Sequence, residues 1–227
     1  MTNRYHKYFS ILLISLLTTT TYLSIQKHSH AQTLTETRNT TITVSIPQHL
    51  TFIINGVNTG DPCPNASVAE LAEIDSTATD IDYGTFNGAN RKIACQETIV
   101  TTNAASGYRL TIQQDHPIQS SPTVQISNFQ GSSGSADTWT TPETWSSPTA
   151  THHSYFGFST SDTIDYSRFS LNRYGSFQSD ATEHEIASAP GPVIDDTNHI
   201  SFQLETDDLQ ASGNYSNTVT YIVTAYF

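Results

Sequence analysis

Hydrophobic and polar positions along the chain follow a pattern typical of an all-β protein. Apolar residues alternate with hydroxyl residues in several short stretches, and this period of two predicts half-buried strands. The predicted strands cover residues 42–46, 50–54, 96–102, 108–113, 123–127, 155–159, 200–204 and 215–227. Turn-forming residues separate these stretches, and their lengths and spacing predict an antiparallel β-sandwich.

The first and last predicted strands carry the clearest alternation. Apolar side chains share one face in each, and threonine or serine residues lie on the other face: Ser216, Thr218, Thr220 and Thr224 in the last strand. Strand edges can pair with a strand from another chain, so these two segments are the candidate assembly strands. The candidate assembly residues on them are Ile42, Val44, Ile46, Tyr221, Val223 and Tyr226.

Two regions depart from the strand pattern. Ser67 followed by Glu70 is a capping box, and the apolar residues among positions 68–74 predict one short helix. Residues 131–197 are rich in Ser, Thr, Gly and Pro over much of their length, yet they hold both tryptophans. We expect this range to be a long, loop-rich insertion in the sandwich.

The first 31 residues have the three parts of a secretory signal. Positive residues at 3–7 precede an apolar run at 9–17, and Ser29 and Ala31 are small residues at the positions that a signal peptidase inspects. The apolar run has nine residues, fewer than the roughly 20 that span a bilayer. We therefore predict a signal peptide at 1–31 and a single domain at 32–227.

Composition supports an exported, folded protein. The chain has 35 Thr and 27 Ser, and its 11 Tyr, 10 Phe and 2 Trp provide enough large side chains for a core. Its net charge is −12, and residues 32–227 hold 6 Lys and Arg against 21 Asp and Glu, a difference of −15. Nucleic acid and anionic membrane surfaces would repel such a chain, so neither is expected as a partner.

The two cysteines, Cys63 and Cys95, both lie in the exported part. An even pair in an oxidising compartment indicates one disulfide, and a loop of about 33 residues corresponds to about 3 to 4 kcal/mol in the chain-entropy model. Neither cysteine belongs to a CxxC motif or stands beside a histidine. A structural disulfide therefore fits better than a metal site.

The motifs of common enzymes do not occur in this sequence. Residues 131–134 read GSSG, which is not the spacing of a GxSxG nucleophile elbow. His184 lies between two glutamates but lacks the second histidine that HExxH requires. We predict a non-enzymatic protein that uses no cofactor.

Two further groups of residues are candidate binding sites. Asp80 and Asp82 are the best placed carboxylates for a weak calcium site, although a DxDxDG loop is absent. Trp139, Trp145 and Tyr155 present aromatic faces in a polar segment, as a carbohydrate-binding site would. The alternative for these aromatic residues is that they cover a face of the sheet.

Three segments resemble secreted bacterial surface proteins with immunoglobulin-like sandwiches. They are GNYSNTVTYIVTAYF at 213–227, TTNAASGYRLTI at 101–112 and IDYGTF at 81–86. The group that they resemble includes pilin-like, spore-coat-U-like and WxL-like proteins. The resemblance implies an immunoglobulin-like fold and a place outside the bacterial cell.

The pilin comparison extends to particular residues. Pilin-like subunits carry a glycine about fourteen residues before their end and a penultimate aromatic, which Gly213 and Tyr226 resemble. Such subunits are completed by an alternating N-terminal segment of a neighbour. Here only Ile42, Val44 and Ile46 alternate, whereas Leu34, Glu36 and Arg38 do not, and this departs from the donor-strand pattern.

The sequence thus predicts a secreted or cell-surface protein that serves as a structural or adhesive part of the bacterial envelope or of an appendage. Its expected partners are copies of itself or other surface proteins. The alternative is a carbohydrate-binding module whose ligand is a glycan held by the two tryptophans. A hydrolase is the third class, and the sequence offers no nucleophile or acid–base pair for it.

Overall fold

The computed structural model describes residues 36, 38, 40–64, 70–131, 140–162, 166–170, 173–178 and 181–227. The chain divides into two units, Met1–Ser45 and Ile46–Phe227. The predicted signal peptide lies outside the described residues. Within the first unit, the described residues 36, 38 and 40–45 are exposed and belong to no helix or strand.

Nearly all of the regular secondary structure in the described residues of the second unit is β-strand. One four-residue helix, α1 (Tyr166–Phe169), is present among its described residues. The strands are β1 (Leu50–Gly56), β2 (Asn90–Thr102), β3 (Tyr108–Gln114), β4 (Gln119–Ser121), β5 (Val124–Gln125), β6 (Ser127–Asn128), β7 (Glu143–Thr144), β8 (Ser154–Thr160), β9 (Arg173–Tyr174), β10 (His184–Ala189), β11 (Val193–Thr206) and β12 (Val219–Ala225).

Two sheets of the second unit face each other. Sheet I has the strand order β1-β2-β11-β8-β6, antiparallel except where β6 pairs with β8. Sheet II has the order β10-β3-β12 and is antiparallel throughout. Two short ribbons, β4-β5 and β7-β9, complete the described pairing. The predicted all-β fold is confirmed at this level.

Alternation along the strands creates the core between the sheets. Sheet I contributes Ile200, Phe202 and Leu204 from β11, which lie beside aromatic residues of β8. Sheet II contributes Leu110 and Ile112 from β3. The rings of Phe156 and Phe202 stack at 6.0 Å between centroids, so neighbouring strands also pack side by side within the core.

The outer face of sheet I is covered by two smaller clusters. One surrounds the disulfide between Cys63 and Cys95, both fully buried, and confirms the predicted pairing. The other is aromatic and lies over β8. The Tyr174 hydroxyl donates to Glu70 Oε2 at 2.8 Å and ties the two coverings together. Burial raises the pKa of Glu70 despite this hydrogen bond.

Three predictions need correction or qualification. Residues 42–46, all of them described, form no strand and are exposed. Of the predicted helix, residues 65–69 lie outside the described part, and residues 70–76 contain bends and isolated bridges in place of helix. The range 131–197, expected to be loop-rich, supplies β8 to sheet I and β10 to sheet II.

Candidate functional site

A groove of about 1210 Å³ lies beside β12 in the second unit. Its floor is the sandwich core, and its walls come from β1, from residues 78–88 and from residues 206–221. The groove therefore separates the edge strand of sheet I from the edge strand of sheet II. The apolar residues lining it are Phe52, Ile54, Ile81, Tyr83, Phe86, Ile118, Ile126, Phe156, Phe202, Leu204, Tyr215, Val219 and Tyr221.

The lining shows that the core is closed incompletely on this side. Phe156, Phe202 and Leu204 are buried, whereas Phe52 and Tyr221, which flank the groove, are only half-buried. The Phe52 and Tyr221 rings lie 6.4 Å apart between centroids and form one contact between the two sheets. The half-buried rings of Phe52 and Tyr221 therefore leave the core partly open between the two edge strands.

β12 presents unpaired backbone groups along its outer edge, and the first part of that edge, Val219–Tyr221, borders the groove. Asp115 N–H donates to Thr218 C=O and Tyr226 N–H donates to Gly107 C=O, so even-numbered residues of this strand bond to β3. By the alternation of antiparallel ladders, the N–H and C=O groups of Val219, Tyr221 and Val223 point to the other edge. No strand in the described part of the chain pairs with that edge. The edge can accept one more strand.

A chain of polar contacts fixes the middle of the groove floor. The Tyr221 hydroxyl donates to Gln96 Oε1 at 2.8 Å, and Gln96 Nε2 donates to Thr77 C=O at 2.7 Å. Burial raises the pKa of Tyr221, and its phenol therefore stays protonated and remains a donor. These contacts hold β12 and β2 together beneath the opening, so the groove is a preformed feature of the fold.

The wall opposite β12 is held by side chains from residues 83–92. Tyr83 donates from its hydroxyl to Phe202 C=O at 3.0 Å, and Lys92 Nζ donates to Tyr83 C=O at 2.6 Å. The same ammonium lies 5.0 Å from the centre of the Phe86 ring. Burial raises the pKa of Tyr83 as well. This wall belongs to the segment IDYGTF, which carried part of the resemblance.

The six candidate assembly residues fall into two groups. Tyr221 and Val223 are half-buried on β12, and Tyr226 follows that strand, with its ring 45% exposed. Ile42, Val44 and Ile46 have exposed fractions of 89%, 80% and 76%. The prediction that these three aliphatic side chains are half-buried in a strand is therefore wrong. Within one chain they are exposed and belong to no strand.

The aromatic residues proposed for glycan binding are differently placed. Trp139 lies outside the described residues. Trp145 stacks on Phe129 with 4.5 Å between ring centroids and donates from Nε1 to Glu205 Oε2. Tyr155 is buried in the same cluster. One face of the Trp145 indole is thus covered, and the group forms part of the covering of sheet I.

The acidic candidates form local turns. Asp82 Oδ1 accepts the N–H of Gly84 at 2.8 Å, and the C=O of Asp80 accepts the N–H of Thr77 at 2.9 Å. Within the described ranges, no group of three or more His, Cys, Asp or Glu side chains is arranged to hold a metal ion. Both aspartates line the groove wall near its rim.

Sequence reasoning missed most of the groove. It singled out Tyr221 and Val223 but not Gln96, Phe52 or Phe86, although the run at 50–54 and the segment 81–86 were both noted. The available signal was the density of aromatic residues in short strands. The sequence does not show which two strands lie at the sheet edges beside the groove.

In the part of the chain that the structure describes, no helix is long and apolar enough to cross a membrane. Comparisons with protein-family profiles, with curated proteins and with solved structures give no match to this chain.

Proposed function

We propose that this protein is a non-enzymatic structural component of the bacterial cell surface or of an appendage, and that its copies assemble by strand addition. In this proposal, residues 40–46 of one copy occupy the groove beside β12 of the next. The buried disulfide supports export to an oxidising compartment, as does the acidic, hydroxyl-rich composition. An immunoglobulin-like description of the sandwich belongs to the same proposal.

The carrying observation is the match between an exposed segment and an open edge. Residues 40–46 and β12 each have seven residues, so the two can pair along their whole length. The segment has aliphatic side chains on one face, and the groove is lined by aliphatic and aromatic ones. Strand addition would satisfy the outward backbone groups of Val219, Tyr221 and Val223 and bury the aliphatic face together.

Burial of the aliphatic side chains would offset a large part of the cost of association. Burying one valine or isoleucine side chain contributes about 1.5 to 3 kcal/mol, so three contribute about 5 to 9 kcal/mol before the cost of association. The paired backbone adds hydrogen bonds along the strand. Burial also explains why three aliphatic side chains stand in an exported segment that is otherwise polar.

The test changes one face of the segment at a time. We expect the triple variant Ile42→Asp, Val44→Asp, Ile46→Asp to remain monomeric in light scattering at concentrations where the unchanged protein assembles. The matched control, Thr41→Asp, Thr43→Asp, Ser45→Asp, adds the same charge to the opposite face and should still assemble. A free peptide of residues 40–46 in excess should shorten the assemblies of the unchanged protein.

Two results would contradict the proposal. One is an unchanged protein that stays monomeric at every concentration tested, with no binding of the free peptide. The other is equal loss of assembly in both triple variants, because added charge rather than the aliphatic face would then be responsible.

A further inference from the structure

We propose that copies of this protein also contact each other end to end, with Leu209 of one copy seated in a hollow beside Ile194 of the next. The inference rests on the proposed function, since it concerns the surfaces that strand addition would bring together. It assigns a second contact, made by Leu209, whose chain neighbours Asp208 and Gln210 line the groove, and by the hollow at the other end of the sandwich.

Two aliphatic side chains mark the two ends of one strand. Outside the segment 42–46, the most exposed large hydrophobic residues of the described chain are Ile194 (84%) and Leu209 (71%). Ile194 is the second residue of β11, and Leu209 lies three residues beyond its end. A strand of 14 residues extends about 45 Å, so these side chains stand at opposite ends of the sandwich.

The two ends present different features. The end at Ile194 contains a hollow of about 600 Å³, lined by His49, Thr101, Thr102, Asn103, Pro192, Val193 and Ile194. The opposite end presents Leu209 on a tight turn, where Leu209 N–H donates to Asp207 Oδ1 at 2.8 Å. Leu209 of one copy can therefore pack into the apolar hollow of another copy.

The backbone at Ile194 is held in an unusual conformation. The pairing of β11 with β2 shifts between Val193 and Asp196, and Asp195 has a φ of 51°, in the left-handed region. Asp195 N–H donates to Thr101 Oγ1 at 2.9 Å, and Thr101 Oγ1 donates back to Asp195 Oδ1 at 3.0 Å. Such a bulge re-aims a side chain, here that of Ile194.

The chain connects this end to the segment that enters the neighbour's groove. Asn103 Nδ2 donates to Pro47 C=O at 2.8 Å, and His49 N–H donates to Asn103 Oδ1 at 2.8 Å. Ile46 therefore leaves the sandwich at the end that carries the hollow. Residues 47–49 extend about 10 Å at most. The neighbour's groove that holds Ile46 must therefore lie close to the hollow end of the copy that supplies Ile46.

The direction of the added strand decides which end of the neighbour is met. β12 runs toward the hollow end, because its Ala225 pairs with Tyr108 at the start of β3. A segment that pairs antiparallel with β12 leaves the neighbour's groove at the opposite end, where Leu209 lies. The contact is then heterologous, joins unlike ends and extends into an open filament.

Charge predicts how the contact responds to salt. Asp195 and Asp196 lie at the hollow end, and Asp207 and Asp208 lie beside Leu209. Carboxylates that approach each other repel, and dissolved salt screens that repulsion. We therefore expect the end-to-end contact to strengthen as ionic strength rises.

Disulfide trapping in the full chain tests the contact directly. The double variant Ile194→Cys, Leu209→Cys should give a ladder of covalent oligomers on non-reducing gels after mild oxidation. A mixture of the two single variants should give covalent dimers and nothing larger, and each single variant alone should give monomers. The control pair Ile53→Cys, Leu209→Cys uses an aliphatic residue that is 49% exposed in the middle of β1, and it should give no ladder.

A second measurement does not depend on cysteine chemistry. Leu209→Asp should raise the concentration at which half of the chains are assembled about 10-fold or more, whereas Ile53→Asp should leave it within about twofold. Both side chains are exposed, so we expect neither substitution to unfold the protein, and thermal unfolding of each variant checks this.

The outcomes separate this inference from the strand-addition proposal. Covalent dimers from Ile194→Cys alone would overturn it, since like ends would then meet, and so would a double variant with no more ladder than the control pair. If the ladder forms while the aspartate variants at 42, 44 and 46 still assemble, the end contact stands and strand addition fails. If those variants stay monomeric while the ladder is absent, only the end contact fails.

Discussion

The two edge strands of sheet II, β10 and β12, differ in whether their outward backbone groups are hydrogen-bonded. At β10, Thr160 Oγ1 donates to Ile186 C=O at 2.6 Å, and Asp162 Oδ2 accepts the N–H of Ser188 at 2.8 Å. The side chains of Thr160 and Asp162 therefore bond to backbone groups of β10 with which another strand could otherwise pair. At β12, the outward groups face the groove, and no described strand pairs with them.

This difference between β10 and β12 bears on which edge of sheet II can pair with another chain. An unpaired edge is a template for pairing with another chain, and proteins usually blunt such edges. Here one sheet has a closed edge and an open edge, so the open one is a local feature of β12. The proposal that β12 accepts a strand predicts that the two edges respond differently to substitution.

The largest effect is expected from proline on β12. Val223→Pro removes an N–H that points to the open edge, and we expect assembly to be lost while the thermal midpoint changes by only a few degrees. Ile222→Pro, one residue away, removes an N–H that bonds to β3 and should cost about 3 kcal/mol of stability. Light scattering and urea unfolding distinguish the two variants. Assembly by Val223→Pro at the unchanged concentration would argue against the open edge.

A smaller effect is expected at the closed edge. Asp162 is buried, and Asp162→Ala leaves the N–H of Ser188 without its carboxylate acceptor, so the free energy of unfolding should fall by about 1.5 to 3 kcal/mol. Assembly should be retained. Asp80→Ala at an exposed position is the control and should change stability by less than about 0.5 kcal/mol. Equal losses in both variants would show that Asp162 does not close the edge.

Removing one hydroxyl tests the floor of the groove. Tyr221→Phe leaves Gln96 Oε1, which is buried, without its donor, and we expect a loss of about 1 to 2 kcal/mol in chemical unfolding. Tyr226→Phe removes a hydroxyl from a ring at the exposed end of the chain and should have no measurable effect. An unchanged Tyr221→Phe would mean that the polar chain beneath the groove does not stabilise the fold.

The smallest effect is expected from Thr160→Val. This nearly isosteric change removes the hydroxyl that caps Ile186 C=O at the β10 edge, with an expected cost of about 1 kcal/mol. Thr101→Val at the bulge would perturb the Asp195 conformation and is not a suitable comparison. Thr41→Val, outside the sandwich, is the better control and should leave the unfolding midpoint unchanged.

The strands that alternate visibly could be predicted from the sequence. The segments 108–113 and 200–204 lie within β3 and β11, and the disulfide joins the two cysteines as expected. The alternation of Ile200, Phe202 and Leu204 can be recognised in the sequence because these three side chains pack into the core. β8 is harder to read, since all seven of its residues are buried, and a strand covered on both faces loses its period of two.

Alternation is a local property and two cysteines allow one pairing, so the all-β character, the main strands and the disulfide could be predicted from the amino-acid sequence. The sequence also contains the alternating residues 42–46, but it suggested that they were half-buried. The open edge of β12, the groove beside it and the positions of Ile194 and Leu209 at opposite ends of β11 became visible in the folded chain. These features depend on which strands are neighbours across long separations in the chain, and pairing of that kind is a property of the whole fold.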